Sequence, residues 1–180
     1  MKAKILETER LILKPLSLEH LTQDYVNWLN DEEVYRYLET GGNYTLEMLE
    51  DYLMEVIKKD IYFWGIHIKE NDLHIGNIKL DPIDELAKKG ELGTLIGNKS
   101  YWSKGYGTEA KVRVVKFGFQ NLKLIKITSG CYANNLKIRK INKKMGFVEE
   151  GVFKMDRYNK HDKKIHDIIR MAIFNPQNKY

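Results

Sequence analysis

The hydrophobic period of this chain changes sharply near Ile61, and that change limits the folds open to it. From Leu18 to Ile57 apolar residues recur at helical spacing, whereas from Ile61 to Ile96 they fall in short β-branched and aromatic runs. A first strand is expected at Thr8–Leu13 and is closed by Pro15. Ser17 is a fitting N-cap for a helix carrying Leu18, Leu21, Tyr25, Trp28 and Leu29, and Val34, Tyr37 and Leu38 indicate a short helical piece. Thr45 opens a further helix bearing Leu46, Leu49, Leu53, Val56 and Ile57. Residues 61–68 and 75–80 then read as an antiparallel hairpin, followed by a charged loop from Asp81 to Gly90 and a strand at 91–96. A helix is predicted from about Lys104 to Asn121, a strand at 122–131, and a basic helix capped by Asn134 or Asn135 and ended by Gly146. A second hairpin, residues 147–158 with 165–174, completes the order. Helices, then antiparallel strands, then a strand-helix-strand-helix-strand centre, with no linker or repeat, predict one mixed α/β (α+β) domain spanning residues 1–180.

Composition removes several classes of function. No run of about 18 apolar residues exists to cross a bilayer and the start, Met1-Lys2-Ala3-Lys4-Ile5, has no secretion signal, so a cytoplasmic protein is expected. A single cysteine, Cys131, cannot form an internal disulfide and is expected to be a buried structural thiol. The five histidines, His20, His67, His74, His161 and His166, are scattered, and no metal site is expected.

The net charge of +5 hides a strong segregation. Twelve bases and one acid, Glu109, lie between Lys99 and Met145, a local charge of +11, so that everything else sums to −6. Eight acids and one base, Arg36, lie between Asp31 and Glu55. Such a chain can bind a polyanion or a small anionic molecule.

The basic segment begins with the chemically richest stretch, in which the strand ending Leu95-Ile96-Gly97 leads through Trp102-Ser103-Lys104-Gly105-Tyr106-Gly107-Thr108-Glu109-Ala110 into a helix. Glycines at the mouth of a helix can aim unpaired N–H groups at one point, where phosphate binds. Alone, they serve equally well to tighten a strand-to-helix turn. A Walker loop is excluded because no Lys-Ser or Lys-Thr follows Gly107. A dinucleotide fold would end the next strand in an acid, and here it ends in Ser129-Gly130-Cys131.

Residues 102–107 resemble the Q/R-x-x-G-x-G/A pyrophosphate loop of the GCN5-related N-acetyltransferase (GNAT) superfamily, with Trp102 at the first position. W-x-K-G-Y-x-T-E-A resembles the branch that acetylates ribosomal-protein N-termini. Thr8–Leu13, Ile75–Ile78, Asn135 with Met145-Gly146-Phe147, Glu150–Phe153 and Asp167–Met171 match other elements of that branch in order. The resemblance implies a mostly antiparallel seven-stranded sheet with a splayed parallel pair and flanking helices. It implies acetyl-CoA as co-substrate without a metal, its pantetheine arm pairing with Leu95, Ile96 and Gly97. The loop Ser103, Lys104, Gly105, Tyr106, Gly107 and Thr108, with Trp102, Asn135 and Asn142, would complete the cofactor contacts.

Direct acetyl transfer to an amine needs a base, donors for an oxyanion and a proton for the thiolate. The resemblance places the donors near Leu95 and Ile96. Glu91, beginning the same strand, is the candidate base, against the plain alternative of an exposed strand-end carboxylate. The tyrosine that often supplies the proton is replaced by Asn142, leaving solvent or Tyr132. The helices holding the acidic run form one acceptor wall in this family. The acids would draw a cationic amine, a peptide N-terminus or a polyamine, whereas Tyr25, Trp28, Tyr35 and Tyr37 would suit a nucleotide-linked amino sugar. A homodimer fits the family and a membrane partner does not. The readings from other classes are a basic nucleic-acid-binding protein using Tyr101, Trp102, Tyr106 and Tyr132 for stacking, and a CoA sensor without turnover.

Overall fold

The computed structural model describes residues 3–177, so the two ends of the expected 1–180 domain, residues 1–2 and 178–180, lie outside the described residues. Strands β1 (Leu6–Glu7) and β2 (Leu11–Pro15) precede a 3₁₀ turn, Leu18–His20, and helices α1 (Gln23–Asn30), α2 (Glu32–Tyr35) and α3 (Leu46–Lys59). Strands β3 (Tyr62–Ile68), β4 (His74–Asp84) and β5 (Lys89–Ile96) follow, then α4 (Tyr106–Gln120), β6 (Lys126–Tyr132), α5 (Leu136–Lys144), β7 (Val148–Asn159) and β8 (Lys164–Phe174).

Local chemistry explains most of these boundaries. Thr45 and Asn135 cap α3 and α5 by accepting from the N–H groups of Met48 and Ile138. Ser17 caps only the 3₁₀ turn, and Thr22 starts α1, because the chain must bend at Leu21 before the helix can lie on the sheet. The charged loop expected at 81–90 is mostly strand: β4 runs to Asp84 and β5 begins at Lys89, with the exposed hairpin end hiding the alternation behind charged side chains.

The strands form one sheet in the order β1-β2-β3-β4-β5-β6-β8-β7, eight strands among the described residues rather than the expected seven. The extra member is the two-residue β1, too short to show a period. Every neighbouring pair is antiparallel except β5 and β6. That parallel pair holds only from Lys89–Glu91 against Lys126–Thr128, after which the two strands part.

Two cores flank the sheet. On one face Ala110, Val114, Val115 and Phe117 of α4 pack on Leu13, Trp64, Ile78, Leu92 and Ile127. On the other, Tyr25, Val26, Trp28 and Leu29 of α1 pack with Leu49, Leu53 and Val56 of α3 and with Phe63. Cys131 is buried as expected, and burial pushes its thiol up from the usual value. The segregated charges partly neutralise one another: Lys99 bridges Asp31 (2.6 Å) and Glu33 (2.7 Å), and Arg157 of β7 meets Glu39.

Candidate active site

Where β5 leaves β6, its backbone presents an unpaired edge inside the protein. The bond from Gly97 N–H to Ile75 O (2.9 Å) fixes the alternation of the β4–β5 ladder. Leu95 and Gly93 therefore spend their N–H and C=O groups on β4, while Leu92, Thr94 and Ile96 turn theirs toward the gap. Of the three residues expected to pair with the cofactor arm, Leu95 and Gly97 thus have their N–H groups committed to β4, while Ile96, with Thr94 beside it, faces the gap. At the end of the edge the Trp102 indole donates to Ile96 O (2.7 Å), so Trp102 ties the loop to the strand.

The loop delivers the chain to α4 in a conformation suited to an anion. Ser103 and Gly105 have φ of 61° and 86°, and a residue with a Cβ is strained at the second, which is the N-cap. No side chain caps α4. The N–H groups of residues 105–108 have no intrahelical acceptor and carry the positive end of the helix dipole. Glu109 stands in this first turn, yet its carboxylate is taken up by the segment between β1 and β2. Thr8 Oγ1 and Arg10 Nε donate to it at 2.6 and 2.7 Å. Partial burial raises the Glu109 carboxyl, but those hydrogen bonds outweigh it and leave the group below its ordinary value. Arg10 also donates to Lys104 O (3.2 Å) and lies 4.3 Å from the centre of the Tyr106 ring. From α5, Lys137 Nζ reaches Ser103 Oγ (3.3 Å) and lies over the Trp102 ring. Arg10 and Lys137 are the supports that sequence reasoning missed, since neither is near the loop in the chain.

Glu91 and Tyr132 stand on one face of the sheet. Glu91 is paired with Thr128 in the parallel register, and alternation puts Gly130 and Tyr132 on the same side. Four residues separate Thr128 from Tyr132, about 13 Å of strand, so a substrate entering the gap would lie between base and phenol. Arg170 Nη1 holds Glu91 Oε2 at 3.1 Å, and Glu91 stays partly exposed. Tyr132 is buried, its hydroxyl has no hydrogen-bond partner, and burial raises its pKa, so it keeps its proton. Tyr37 of the acceptor wall lies 6.0 Å from it, ring centre to ring centre.

Asn142 and Asn135, both expected as cofactor contacts, have side-chain atoms engaged within the protein. Asn142 is fully buried on the opposite face, where Lys111 Nζ donates to its Oδ1 (2.9 Å) and its Nδ2 faces Met171 Sδ (3.8 Å). Burial lowers the Lys111 ammonium to about 8. Asn135 spends its side-chain oxygen on the α5 cap. A hollow of about 290 Å³ lined by Tyr62, Asp81, Ile83 and Lys88 lies at the end of the sheet opposite Gly97 and belongs to none of this.

A forked parallel pair leading to an uncapped, glycine-started helix matches what the comparisons find. Residues 10–148 match the acetyltransferase (GNAT) domain family. The chain belongs to the GNAT N-acetyltransferases. Among GNAT relatives, the uncharacterized N-acetyltransferase YoaA of Bacillus subtilis (strain 168) is 27% identical over 173 residues, covering 92% of this chain and 97% of YoaA. The GNAT fold recurs in the spermidine N-acetyltransferase from Vibrio cholerae, solved with CoA and spermine, with a TM-score of 0.82, 21% identity and coverage of 93% and 96% of the two chains. It recurs again in the ribosomal-protein-S5-alanine acetyltransferase from Vibrio fischeri, with a TM-score of 0.82, 19% identity and coverage of 98% and 100%. Use of acetyl-CoA is implied by the GNAT family. The uncapped start of α4 and the open edge of β5 both present unpaired backbone groups.

Proposed function

We propose that the protein transfers acetyl directly from acetyl-CoA to a primary amine held between Glu91 and Tyr132. The observation that carries this is the interior edge of β5, whose free groups lead straight to the unpaired N–H groups of residues 105–108. Thr94 and Ile96 would pair with the pantetheine arm, and residues 103–108, with Lys137 beside them, would hold the pyrophosphate. Bound acetyl-CoA supplies the activated thioester.

The remaining work falls to side chains of this chain. Glu91 accepts a proton from the ammonium of the acceptor, directly or through water, and Arg170 fixes its orientation. N–H groups on the open edge receive a carbonyl oxygen that gains charge. Tyr132, kept neutral by burial, holds the proton that the departing sulfur needs.

For the acceptor, the wall supports a cationic amine, either a peptide N-terminus or a polyamine. Glu47, Glu50 and Asp51 are exposed on α3, while Asp31, Glu33 and Glu39 are already paired with bases. The S5-alanine and spermidine enzymes of the same fold act on such amines by their names. The test is release of free CoA thiol from acetyl-CoA with ribosomal-protein N-terminal peptides, spermidine and nucleotide-linked amino sugars. Turnover with a peptide or polyamine is expected. Turnover with the amino sugar alone would overturn the acceptor reading, and no turnover together with no thermal shift by acetyl-CoA would overturn the whole.

A further inference from the structure

The fold gathers three of the histidines that the sequence scatters. His20 ends the 3₁₀ turn, His67 lies near the end of β3 and His74 begins β4, and one ring nitrogen of each lies within 4.8 Å of the other two. They sit beneath α1, on the face opposite α4. His20 and His67 are buried and His74 is half-buried, with the Trp28 ring 4.9 Å from His74, centre to centre.

Their hydrogen bonds set the tautomers. His67 Nδ1 lies 2.9 Å from Asp72 O, which can only accept, so that nitrogen carries the proton and Nε2 bears a lone pair. His74 Nε2 lies 2.9 Å from Gly76 O and 3.1 Å from Asn77 Oδ1, again acceptors, so the lone pair is on Nδ1. That Nδ1 is buried and has no hydrogen-bond partner. His20 Nδ1 can accept from Ser17 N–H (3.1 Å) or donate to Ser17 O (3.2 Å), and the second choice frees a lone pair on Nε2.

We propose that His20 Nε2, His67 Nε2 and His74 Nδ1 bind one divalent transition ion of the zinc class, with water as fourth ligand. The distance between His20 Nε2 and His67 Nε2 is 3.1 Å, and two imidazoles on one tetrahedral zinc stand about 3.3 Å apart. Each distal nitrogen faces a backbone carbonyl, the arrangement that orients metal-bound histidines. Gly65 keeps the space open: a Cβ there would lie 2.2 Å from His20 Nε2 and 3.2 Å from His67 Nε2. A network of neutral imidazoles satisfies His20 and His67 but leaves His74 Nδ1 idle, whereas an ion uses all three. Imidazole favours Zn²⁺, Co²⁺ or Ni²⁺ over Mg²⁺ or Ca²⁺. The ion would pin the 3₁₀ turn to the β3–β4 hairpin and stay apart from acetyl transfer.

The full-length protein, stripped with a chelator and dialysed, is titrated with Zn²⁺ and with Co²⁺. One equivalent bound per chain, a raised melting temperature and visible Co²⁺ bands of four-coordinate intensity are expected. His74→Gln should weaken binding by at least about 100-fold, beyond the loss typical of an outer-shell partner, while still melting cooperatively. Absence of stoichiometric binding by the unsubstituted chain overturns the proposal, and so does binding unchanged in His74→Gln. If His74→Gln does not fold, the Co²⁺ spectrum of the unsubstituted chain decides, since the weak six-coordinate spectrum of the aqueous ion also overturns it.

Discussion

The two faces of the sheet solve different problems. Beneath α4 and α5 the packing is almost wholly apolar, and Lys111, the one buried cation among the described residues, is sealed in against Asn142. Beneath α1 and α3 the core carries Tyr25, Tyr52 and the three histidines, and Glu91 and Tyr132 open from that same side. The first face is a rigid backing that holds β5 and the start of α4 in place. The second is a polar, partly satisfied interior, where a protein can afford chemistry. The fork between β5 and β6 joins them, so on the proposed function one face would hold the cofactor and the other would meet the acceptor.

The sharpest way to break this contrast is Asn142→Leu. It leaves the buried Lys111 amine without its acceptor, and should cost about 1.5–3 kcal/mol in urea unfolding. Lys111→Met added to it should restore most of that loss. If Asn142→Leu is neutral, the rigid face is not as sealed as its geometry says. On the other face, Glu91→Gln should fold normally and lower kcat/KM about 100-fold, about 2.7 kcal/mol at the transition state. A loss in KM alone would make Glu91 an acceptor-binding group and not the base.

A third test uses pH. The folded-state pKa of Lys111 is lowered from 10.5 to about 8, so between those values the unfolded chain holds the extra proton and stability rises with pH. Below about pH 8 both states are protonated and the slope vanishes. Melting curves of the unsubstituted chain minus those of Lys111→Met should show this rise; a flat difference would mean that water reaches the amine. The smallest effect belongs to the loop. Lys137→Ala should raise the KM for acetyl-CoA by about 3-fold, less at high salt, because a partly exposed charge is worth at most about 1 kcal/mol.

Much of this was legible where the cause is local. Thr45, Asn135 and Gly146 mark helix ends by chemistry that acts within four residues, and the strand-loop-helix at 91–110 announces itself by glycine spacing. What stayed hidden depends on residues far apart. Lys111 reads as one more surface base on a charged helix, and only the docking of α5 buries it against Asn142. His20 and His67 are 47 residues apart, so no spacing rule unites them. The motif names Asn135 and Asn142 as cofactor contacts, but the cap made by one and the burial of the other depend on how α5 docks, which the motif does not record. Of the expected donors Leu95 and Ile96, only Ile96 turns its N–H to the gap, with Thr94 beside it, because ladder alternation depends on the register with β4, which no motif records.

The Trp102 bond to Ile96 O gives the open edge of β5 a definite length. Pairing with Lys126–Thr128 closes it at Glu91, and the indole takes its last acceptor, so the free edge is a ruler with marks at Leu92, Thr94 and Ile96 about 7 Å apart. A partner strand of any length can add itself to an ordinary sheet edge. Here, on the proposed function, an arm would find two marks for its amides, with the last acceptor already taken by the indole.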